Sequence, residues 1–363
     1  MDLNKIALVT GGLGFIGSNF INEVLDTYDS FIIVDNASPT VHGDSKDFKF
    51  SSSKIELVIG DIQNANTWNH VADYLPVENF QLDVFHLASN TSTADSILNP
   101  SNHVETNVMG TAVMCEFLFK YLESINFVLL TSTRAVYGEG LWINSKGDLV
   151  NPSLRDVTNL ENSNWNPFFE QKTCIAPTAT SAQNCRPNPS NIYGSTKYAQ
   201  ENLLRIWCDT NGIACSILRL QNVYGPKQSL WNSYSGVVSL FVKEALMSSS
   251  IQVYEAGGII RDFVFVSDVV RVMKFAISAP SEWPLVDVGT GRPTTLLKLA
   301  EIISDKTSSP RPVVTNMYRA GDVRGIYADN GELMRLMPNF LFTELDKGLD
   351  TLIDWAKNEI ASR

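Results

Sequence analysis

Two side chains four residues apart, Tyr193 and Lys197, could carry out acid–base chemistry if the segment between them is helical. A spacing of four places both side chains on one face of a helix. A free tyrosine has a pKa of about 10, which is too high for a base at neutral pH. A neighbouring ammonium favours the phenolate and lowers that pKa. The pair therefore predicts a proton-transfer site, although an isolated pair of this kind is more often an amphipathic surface coincidence.

A row of three hydroxyl side chains, Thr131, Ser132 and Thr133, ends the apolar segment that begins at Phe127. Open α/β sheets bind ligands at the carboxyl ends of their strands, so this row could hydrogen-bond a reacting hydroxyl or carbonyl group. Serine and threonine are also common at capped turns, which offers a simpler explanation. The sequence leaves both explanations open.

The amino-terminal segment contains a loop that could bind phosphate groups. Apolar residues 6–10 run into Gly11-Gly-Leu-Gly-Phe-Ile-Gly17, and apolar residues at helical spacing follow. In such loops one glycine allows a tight turn, a second lets the backbone approach a pyrophosphate, and a third allows close helix packing. The helix amino terminus adds unpaired N–H groups and a partial positive charge. Asp35 ends the next apolar strand, about 20 residues further on, which is typical of dinucleotide-binding folds.

Asp35 also indicates which nicotinamide dinucleotide binds. A carboxylate accepts hydrogen bonds from a ribose 2′-hydroxyl and repels a 2′-phosphate. No arginine or lysine occurs in the loop or at the two positions after Asp35, which are Asn36 and Ala37. The sequence therefore predicts NAD rather than NADP.

The composition limits the possible partners and compartments. The chain has 363 residues, is 44% hydrophobic and carries a formal net charge of −11 at pH 7. This acidity argues against a nucleic-acid or membrane partner, so an anionic ligand needs local arginines and helix ends. No apolar run reaches the ~20 residues of a membrane span, and the first residues leave no room for a secretory signal. The five cysteines lack CxxC spacing and paired histidines, so we expect free thiols, no metal site and a cytoplasmic protein.

Apolar runs alternate with amphipathic segments through the first two-thirds of the chain, which is typical of a parallel sheet with crossover helices. Further strands are predicted at 55–59, 83–88, 127–131 and 215–220, and helices near 64–74, 103–124 and 193–211. The predicted fold class is therefore α/β, a Rossmann-type doubly wound parallel sheet with a smaller, mainly helical C-terminal lobe that binds substrate.

The domain division follows from the same pattern. Residues 1–222 are assigned to the NAD-binding Rossmann domain, to which 259–272 return, and residues 223–258 and 273–363 to the substrate lobe. Within the first domain, residues 139–191 are rich in Asn, Pro, Ser and Thr and show little periodicity. A structureless loop of this length is uncommon, so we expect an ordered excursion beside the active site.

Together, the glycine loop, Asp35, Thr133 and Tyr193-x-x-x-Lys197 resemble the extended short-chain dehydrogenase/reductases, specifically the NAD-dependent nucleotide-sugar epimerase/dehydratase family. The resemblance implies that Thr133 polarises the sugar oxygen, with Ser132 as the fallback, and that Tyr193 is the acid and base. It also implies that Lys197 binds ribose and lowers the pKa of Tyr193. The implied cofactor contacts are Gly11, Gly14, Phe15, Ile16, Gly17, Asp35, Asn36, Asp61, Ile62, Leu87, Ala88, Ser89, Asn107, Thr131, Tyr193 and Lys197.

The same resemblance implies contacts to a nucleotide-diphosphate sugar. The candidates are Thr133, Asn222, Arg261, Arg319 and Asp322, of which Asp322 would accept a hydrogen bond from the nucleotide ribose. Arginine suits a diphosphate because its planar fork binds two oxygens at once. Arg261 could equally form a structural ion pair with its neighbour Asp262. Family members commonly dimerise through a four-helix bundle, so a homodimer through the helices near 103–124 and 193–211 is expected, although core packing explains the apolar stripe of the first helix equally well.

Departures from the family pattern narrow the reaction. Dehydratases carry an Asp-Glu pair directly after the strand-end Thr, where this chain has Arg134 and Ala135. Dehydration is therefore not expected, which leaves oxidation and reduction at a carbinol. The resemblance implies epimerisation of the sugar at C4 through a transient 4-keto intermediate. The alternative is an NDP-4-keto-6-deoxysugar reductase that uses NAD(P)H, and the remote alternative is a non-catalytic NAD-bound module. Residues 35–43 and 221–230 look most like bacterial 4-epimerases of carbohydrate and O-antigen biosynthesis, those acting on dTDP-L-rhamnose among them, but the nucleotide and the sugar stay open.

Overall fold

The computed structural model describes residues 3–42, 50, 52–232, 236–279 and 283–362. Met1, Asp2 and Gly43, which the sequence interpretation included, lie outside the described residues. The centre of the fold is a parallel sheet of seven strands. In chain order, β1 to β7 are Asn4–Thr10, Ser30–Asp35, Ile55–Ile59, Phe80–His86, Ile125–Thr133, Ala214–Leu220 and Leu285–Val288.

The strand order in the sheet is β7-β6-β5-β4-β1-β2-β3. β1 lies between β2 and β4, so the chain moves outward in opposite directions from this point. Such a switch point leaves a crevice at the carboxyl ends of the strands, where open α/β sheets bind ligands. The predicted glycine loop follows β1 directly and therefore lies at this crevice.

The sheet is covered on both faces, which explains why its strands are continuous apolar runs. Successive side chains of a strand point to opposite faces. In β1, Ala7 and Val9 belong to one buried apolar cluster, while Ile6 and Leu8 belong to a second cluster on the other face.

In the described part of the chain, eight longer helices surround the sheet and form the C-terminal lobe. In chain order, α1 to α8 are Phe15–Val24, Ala65–Ala72, Gly110–Leu118, Ile192–Asn211, Val237–Leu246, Val266–Ser278, Leu296–Thr307 and Leu345–Ala361. Shorter helices are Pro39–His42, Thr93–Leu98, Pro100–His103, Val157–Glu161 and Gly331–Leu336.

The helix predicted near 103–124 is not one regular helix. Val104–Met109 forms a wide π-helical turn, α3 follows it, and Phe119–Ser124 continues as a 3₁₀ helix. π-helical turns are frequent at functional sites because they shift the direction of side chains within a helix. Here the wide turn contains Asn107, one of the predicted site residues, which is fully buried.

The main sheet takes one strand from a segment that the domain division assigned to the lobe. Val286 and Val288 of β7 are buried beside β6 and join the core under the sheet, because they pair with β6 in parallel register. α6 also belongs to this core, since it packs on α1. The lobe has a separate apolar core formed largely by α5, α7 and α8. The remaining domain boundaries stay a prediction.

The excursion at 139–191 has local order of its own. Trp142–Ile143 pairs with both Leu149–Val150 and Ala176–Pro177, and the Trp142 side chain is buried. A second hairpin joins Phe168–Phe169 to Lys172–Thr173. Ala179–Thr180 then pairs with Tyr327–Ala328, so the end of the excursion is tied to the segment that follows Arg319. Short pairings Asn222–Tyr224 with Phe263–Phe265, Gln252–Val253 with Val313–Val314, and Ile260–Arg261 with Thr294–Thr295 complete the lobe.

The described residues contain no helix that is both long and apolar enough to cross a bilayer. The five cysteines all carry free thiols. Within the same described ranges, no cluster of His, Cys, Asp and Glu side chains could hold a metal ion.

Candidate active site

One large cavity of about 970 Å³ lies over the carboxyl ends of the central strands. Its wall includes residues that follow β1, β2, β4, β5 and β6, and it continues to the lobe at Arg261, Arg319 and Asp322. All of the predicted site residues line this cavity except Asn107. The structure therefore brings together side chains that are up to about 300 positions apart in the chain.

The glycine loop has the close backbone contacts that its sequence predicts. Gly11 has a φ of +71°, and a Cβ there would lie 2.6 Å from the amide nitrogen of Ala88. A Cβ at Gly17 would lie 2.4 Å from the carbonyl oxygen of Gly11. Side chains are therefore excluded where α1 begins, and the cavity meets bare backbone and a helix amino terminus. Such a surface fits a pyrophosphate.

Asp35 is held at the edge of this loop. Its carboxylate accepts the N–H of Leu13 at 3.0 Å and the N–H of Ala37 at 2.9 Å. Burial raises the pKa of Asp35, and these two hydrogen bonds oppose the rise. His42 Nε2 lies 3.9 Å from Asp35 Oδ1, a neighbour that sequence reasoning missed because no spacing rule connects the two positions. A carboxylate presented here fits the ribose of a dinucleotide.

Asn107 supports the cofactor end of the cavity from behind instead of lining it. Its Nδ2 donates to Asn90 O and to Thr196 Oγ1, both at 3.0 Å. Its Oδ1 accepts the Asn90 N–H at 2.8 Å and the Ser89 hydroxyl at 3.0 Å. The amide group is thus fully used by protein partners. The side chain ties the loop after β4 to α4, and the direct contact between Asn107 and the cofactor stays a prediction.

Tyr193 and Thr133 meet where the start of α4 packs against the turn after β5. The Thr133 hydroxyl oxygen accepts the Ala135 N–H at 3.1 Å and also hydrogen-bonds the Tyr193 phenol. The capped turn and the reactive hydroxyl are therefore compatible explanations for Thr133. A Cβ at Gly194 would lie 2.6 Å from the Ala135 carbonyl oxygen, so glycine is required for this approach.

Ser132 points away from the Tyr193–Thr133 contact. Its hydroxyl donates to the carboxylate of Glu201, which also forms a buried ion pair with Arg219 at 2.6 Å. A strand turns successive side chains to opposite faces, which separates Ser132 from its neighbours Thr131 and Thr133. Ser132 is thus occupied beneath the site, and the geometry favours Thr133 over this fallback.

Lys197 is buried, and its ammonium donates to Gln200 Oε1. Gln200 Nε2 in turn lies 2.8 Å from His86 Nε2 and 2.7 Å from Thr111 Oγ1. Burial lowers the pKa of Lys197 to about 7. Burial, with a smaller contribution from the Lys197 charge, lowers the pKa of His86 to about 3. The ammonium of Lys197 is bonded to Gln200 in this structure, and its predicted effect on the pKa of Tyr193 stays a prediction.

The pKa of the Tyr193 phenol is raised, with burial as the largest cause. The hydrogen bond from Thr133 and the positive charge of Arg134 act in the opposite direction. Arg134 is therefore the cation that influences Tyr193 in this structure. Its guanidinium Nε donates to Asn222 Oδ1 at 2.9 Å, which links the reacting side chains to the substrate end.

Arg261 does not form the alternative ion pair with Asp262 anywhere in the described structure. Its Nη nitrogens donate to the carbonyl oxygens of Ile260 and Val323, both at 2.8 Å. The Asp262 carboxylate instead accepts the N–H groups of Thr290 and Gly291 at 3.0 and 2.9 Å. Burial lowers the pKa of Arg261, while nearby Asp322 opposes this change. The guanidinium is buried at the cavity wall, where a diphosphate can approach.

Arg319 is exposed and lies with its guanidinium carbon 5.4 Å from the ring centroid of Tyr254. This cation–π contact holds the arginine at the cavity rim. Asp322 closes the turn that Arg319 begins, because its N–H donates to the Arg319 carbonyl oxygen at 3.3 Å. The residues 319–324 thus form one short substrate-facing segment.

A buried charge network from the excursion holds this segment. Arg155 donates to Glu139 at 3.1 Å, to Glu255 at 2.7 Å and to the carbonyl oxygen of Asp322 at 2.6 Å. Glu139 also accepts the N–H of Arg324 at 2.8 Å. Sequence reasoning missed this network because its members are scattered over 139–324 with no common spacing. Its geometry gives the excursion a role in placing Asp322.

Two family models match separate parts of the chain: "GDP-mannose 4,6 dehydratase" over residues 8–144 and "NAD dependent epimerase/dehydratase family" over residues 166–288. A dTDP-L-rhamnose 4-epimerase from Burkholderia thailandensis is 36% identical over 362 residues, which covers 99% of this chain and 97% of the relative. The chain belongs to the NAD-dependent epimerase/dehydratase family. The predicted family, fold class and NAD dependence are thereby confirmed.

Other members of the family are more distant. A putative UDP-glucose 4-epimerase from Methanocaldococcus jannaschii is 28% identical and covers 97% of this chain and 98% of the relative. A solved UDP-glucose 4-epimerase from Thermotoga maritima, with UDP-glucose, has a TM-score of 0.76 at 24% identity, covering 98% of this chain and 99% of that one. The solved MoeE5 structure with UDP-glucose and NAD has a TM-score of 0.74 at 23% identity, covering the same shares. These two structures support the fold.

The Arg155 network predicts that this epimerase/dehydratase-family protein needs its excursion to bind nucleotide. In Arg155→Met, two buried carboxylates each lose one charged partner, so the free energy of unfolding should fall by ~3–5 kcal/mol. The affinity for dTDP or UDP, measured by calorimetry on the folded protein, should fall about tenfold because the Asp322 carbonyl loses a charged donor. The surface variant Arg292→Met, which removes an exposed pair with Glu344, serves as control. Unchanged stability and nucleotide affinity in Arg155→Met would contradict this role.

The buried Lys197 predicts a pH dependence of stability in the cofactor-free protein. The pKa of Lys197 is about 7 in the folded protein and 10.5 for an ordinary lysine, which is the value expected in the unfolded chain. Between these two pH values, the unfolded chain therefore holds a proton that the folded protein has released. The free energy of unfolding should therefore rise with pH across this window. Denaturant titrations at several pH values should show the rise in the natural protein and its loss in Lys197→Met. Exposed Lys274→Met is the matched control, and an equal rise in both variants would count against the assignment.

Proposed function

We propose that this protein is an NAD-dependent nucleotide-sugar 4-epimerase that inverts C4 through a transient 4-keto sugar. The observation that carries the proposal is the contact between Tyr193 and Thr133 in the cavity wall. This contact lies between the glycine loop at one end and the arginines of the substrate segment at the other. The 36% identity to a dTDP-L-rhamnose 4-epimerase along the whole chain supports the same reaction.

The residues at the cofactor end fit NAD. The bare backbone of the glycine loop would hold its pyrophosphate, Asp35 a ribose, and Asp61 with Ile62 the adenine edge. When bound, NAD supplies a reversible hydride acceptor for the sugar carbinol. The chain contributes the placement of both partners, which is a large part of the rate enhancement in reactions of this type.

Tyr193 and Thr133 are proposed to handle the proton and the oxygen of the reacting hydroxyl. As phenolate, Tyr193 accepts the C4 hydroxyl proton, and it returns that proton when the carbonyl is reduced. Thr133 orients the same oxygen with its hydroxyl. The Thr133 oxygen accepts one N–H, and its single proton, which is directed to the Tyr193 phenol, can turn to the sugar oxygen when substrate binds.

Asn222, Arg261, Arg319 and Asp322 are proposed to hold the nucleotide diphosphate while the sugar turns. Arg261 is buried against carbonyl oxygens and therefore rigid, whereas Arg319 is exposed at the rim and can close on the ligand. Anchoring the diphosphate at its phosphates leaves the sugar end free to present either face. Inversion requires this freedom, since the hydride must return to the opposite side.

The site lacks the acid pair that a dehydratase uses. Arg134 and Ala135 follow Thr133, and neither is a carboxylic acid. The next acid along this segment, Glu139, is buried and paired with Arg155 at 3.1 Å. Elimination of water from the sugar is therefore not supported. The site favours oxidation of the sugar carbinol followed by reduction of the resulting carbonyl.

The proposal predicts that purified protein interconverts a nucleotide sugar and its 4-epimer without added cofactor. dTDP-L-rhamnose is the first substrate to test, followed by UDP-glucose, with product sugars separated by chromatography. Tyr193→Phe should lower turnover about 10²- to 10⁴-fold because it removes the acid and base. It should still retain NAD, which enzymatic cycling of the released nucleotide can measure. Tyr198→Phe, on the same helix but outside the cavity wall, is the control.

Consumption of NADPH only with 4-keto sugars would instead identify a reductase. Near-normal turnover in Tyr193→Phe would contradict the assigned acid and base. Neither conversion nor NADPH consumption, over the full panel of sugars, would leave a non-catalytic NAD-bound module.

We also propose that the protein is a cytoplasmic homodimer. Val104 and Met109 of the π-helical turn and Ile206 of α4 are about half exposed, although they are apolar. These helices pack together in one chain, so a second copy could cover the apolar side chains and form a four-helix interface. Light scattering of the natural protein should give twice the mass of one chain. The variant Ile206→Glu should give the mass of a single chain. The free thiols fit a reducing compartment, which cell fractionation checks.

A further inference from the structure

Arg134 occupies a special place in the cavity because it lies between the reacting side chains and the substrate anchor. It follows Thr133 directly and lines the same cavity as Tyr193. Its Nε donates to Asn222 Oδ1 at 2.9 Å. The described structure gives neither of its two Nη nitrogens a hydrogen-bond partner. One hydrogen bond thus orients the Arg134 guanidinium, and its two Nη nitrogens can still donate to a ligand.

The charges around Arg134 do not neutralise it by direct contact. Arg261 is a nearby cation, while Tyr193, Asp322 and Glu139 are nearby groups of the opposite sign. Of these, Glu139 is already paired with Arg155, and no ion pair joins Asp322 to Arg134 among the described residues. A cation that is half-buried without a carboxylate partner acts strongly on adjacent groups, because little water screens it.

The other titratable side chains near Tyr193, which are Lys197 and His103, form contacts with other residues. The Lys197 ammonium donates to Gln200. The His103 ring lies edge-on, 6.5 Å from the Tyr193 ring, with its Nε2 3.4 Å from Asp95. Burial lowers the pKa of His103, so its imidazole is mainly neutral at pH 7. Arg134 is therefore the positive group that faces the reacting phenol.

We propose that Arg134 is a catalytic residue of this chain: its charge supports the ionised phenol of Tyr193, and its fork contacts the sugar oxygen that Tyr193 deprotonates. The contact to the sugar rests on the proposed epimerase function, whereas the effect on Tyr193 does not. In the proton transfer, the sugar O–H bond breaks and the same proton bonds to the phenolate oxygen. Negative charge moves from the phenolate to the sugar oxygen, and both positions lie beside the guanidinium. No electron is transferred in this step.

The arginine that directly follows Thr133 thus has a positive role in this site, beyond the absence of a dehydratase acid. A cation at position 134 could not act as the acid of a dehydratase. It can, however, stabilise negative charge on an oxygen, and fixed charges aimed at such an oxygen are a major source of catalysis. Burial and the charge of Arg261 lower the pKa of Arg134 to about 9, which still leaves the guanidinium charged at pH 7.

The first test measures the ionisation of Tyr193 without turnover. The near-ultraviolet absorbance of tyrosinate is followed during a pH titration, and each protein is compared with its own Tyr193→Phe blank. In Arg134→Gln, the phenol should ionise ~1–3 pH units higher than in the natural protein, because the opposite charge is removed. Arg134→Lys should recover part of this difference. Arg292→Gln changes net charge equally at a remote surface site and should leave the titration unchanged.

The second test uses the epimerisation of dTDP-L-rhamnose. Arg134→Gln should lower kcat about 10²-fold and move the acidic limb of its pH profile to higher pH, with a smaller change in KM. An unchanged tyrosinate titration would overturn the effect on Tyr193. A rise in KM with kcat intact would overturn the sugar contact and reduce Arg134 to a binding residue. No reaction of any nucleotide sugar, together with a shifted tyrosinate titration in Arg134→Gln, would contradict the epimerase function. It would still support the effect of the Arg134 charge on the Tyr193 phenol.

Discussion

The close approach of α4 to the turn after β5 is the constraint on which the site depends. The two backbones meet at Gly194 and the Ala135 carbonyl oxygen, where a side chain at position 194 would come within 2.6 Å. Asn191 caps the helix there, since its Oδ1 accepts the Gly194 N–H at 2.8 Å. This contact brings the phenol of Tyr193 to the hydroxyl of Thr133. A shift of about 1 Å in this packing would separate them, and catalysis is sensitive to errors of that size.

Electrostatics explains how an acidic protein can hold an anionic ligand. The net charge of −11 disfavours anions at long range, so binding depends on short-range groups. Arg261 is close enough to Arg134 for its charge to lower the pKa of Arg134, second to burial as a cause, and a bound diphosphate would relieve this repulsion. Their mutual repulsion is tolerated because carbonyl oxygens and Asn222 hold them in place. Because repulsion between the two guanidinium groups is relieved most by a ligand with two or more negative charges, their proximity favours such a ligand.

The excursion has a structural connection to this ligand site. Its Arg155 is buried among two glutamates and a carbonyl oxygen of the substrate segment. The main contribution of this network is to geometry and not to the free energy of folding. Buried ion pairs often contribute little net stability compared with apolar side chains. They do impose one geometry, because every donor must meet its acceptor. The 319–324 segment is therefore held in one position by residues that precede it by more than 150 positions.

Much of this protein could be predicted because its signals are local. The glycine loop, Asp35, the hydroxyl row and the Tyr193-x-x-x-Lys197 spacing depend on neighbouring residues and on the period of one strand or helix, so they are readable in the sequence. The parallel sheet follows from alternating apolar runs. Contacts between distant segments are different, because no periodicity records them. The fold alone decided that Lys197 bonds Gln200, that Asn107 lies behind the cavity, that Arg155 holds Asp322, and that Arg134 is the cation beside Tyr193. The physical reason is that buried charges and amides must satisfy their bonds with whatever the folded chain brings within about 3 Å.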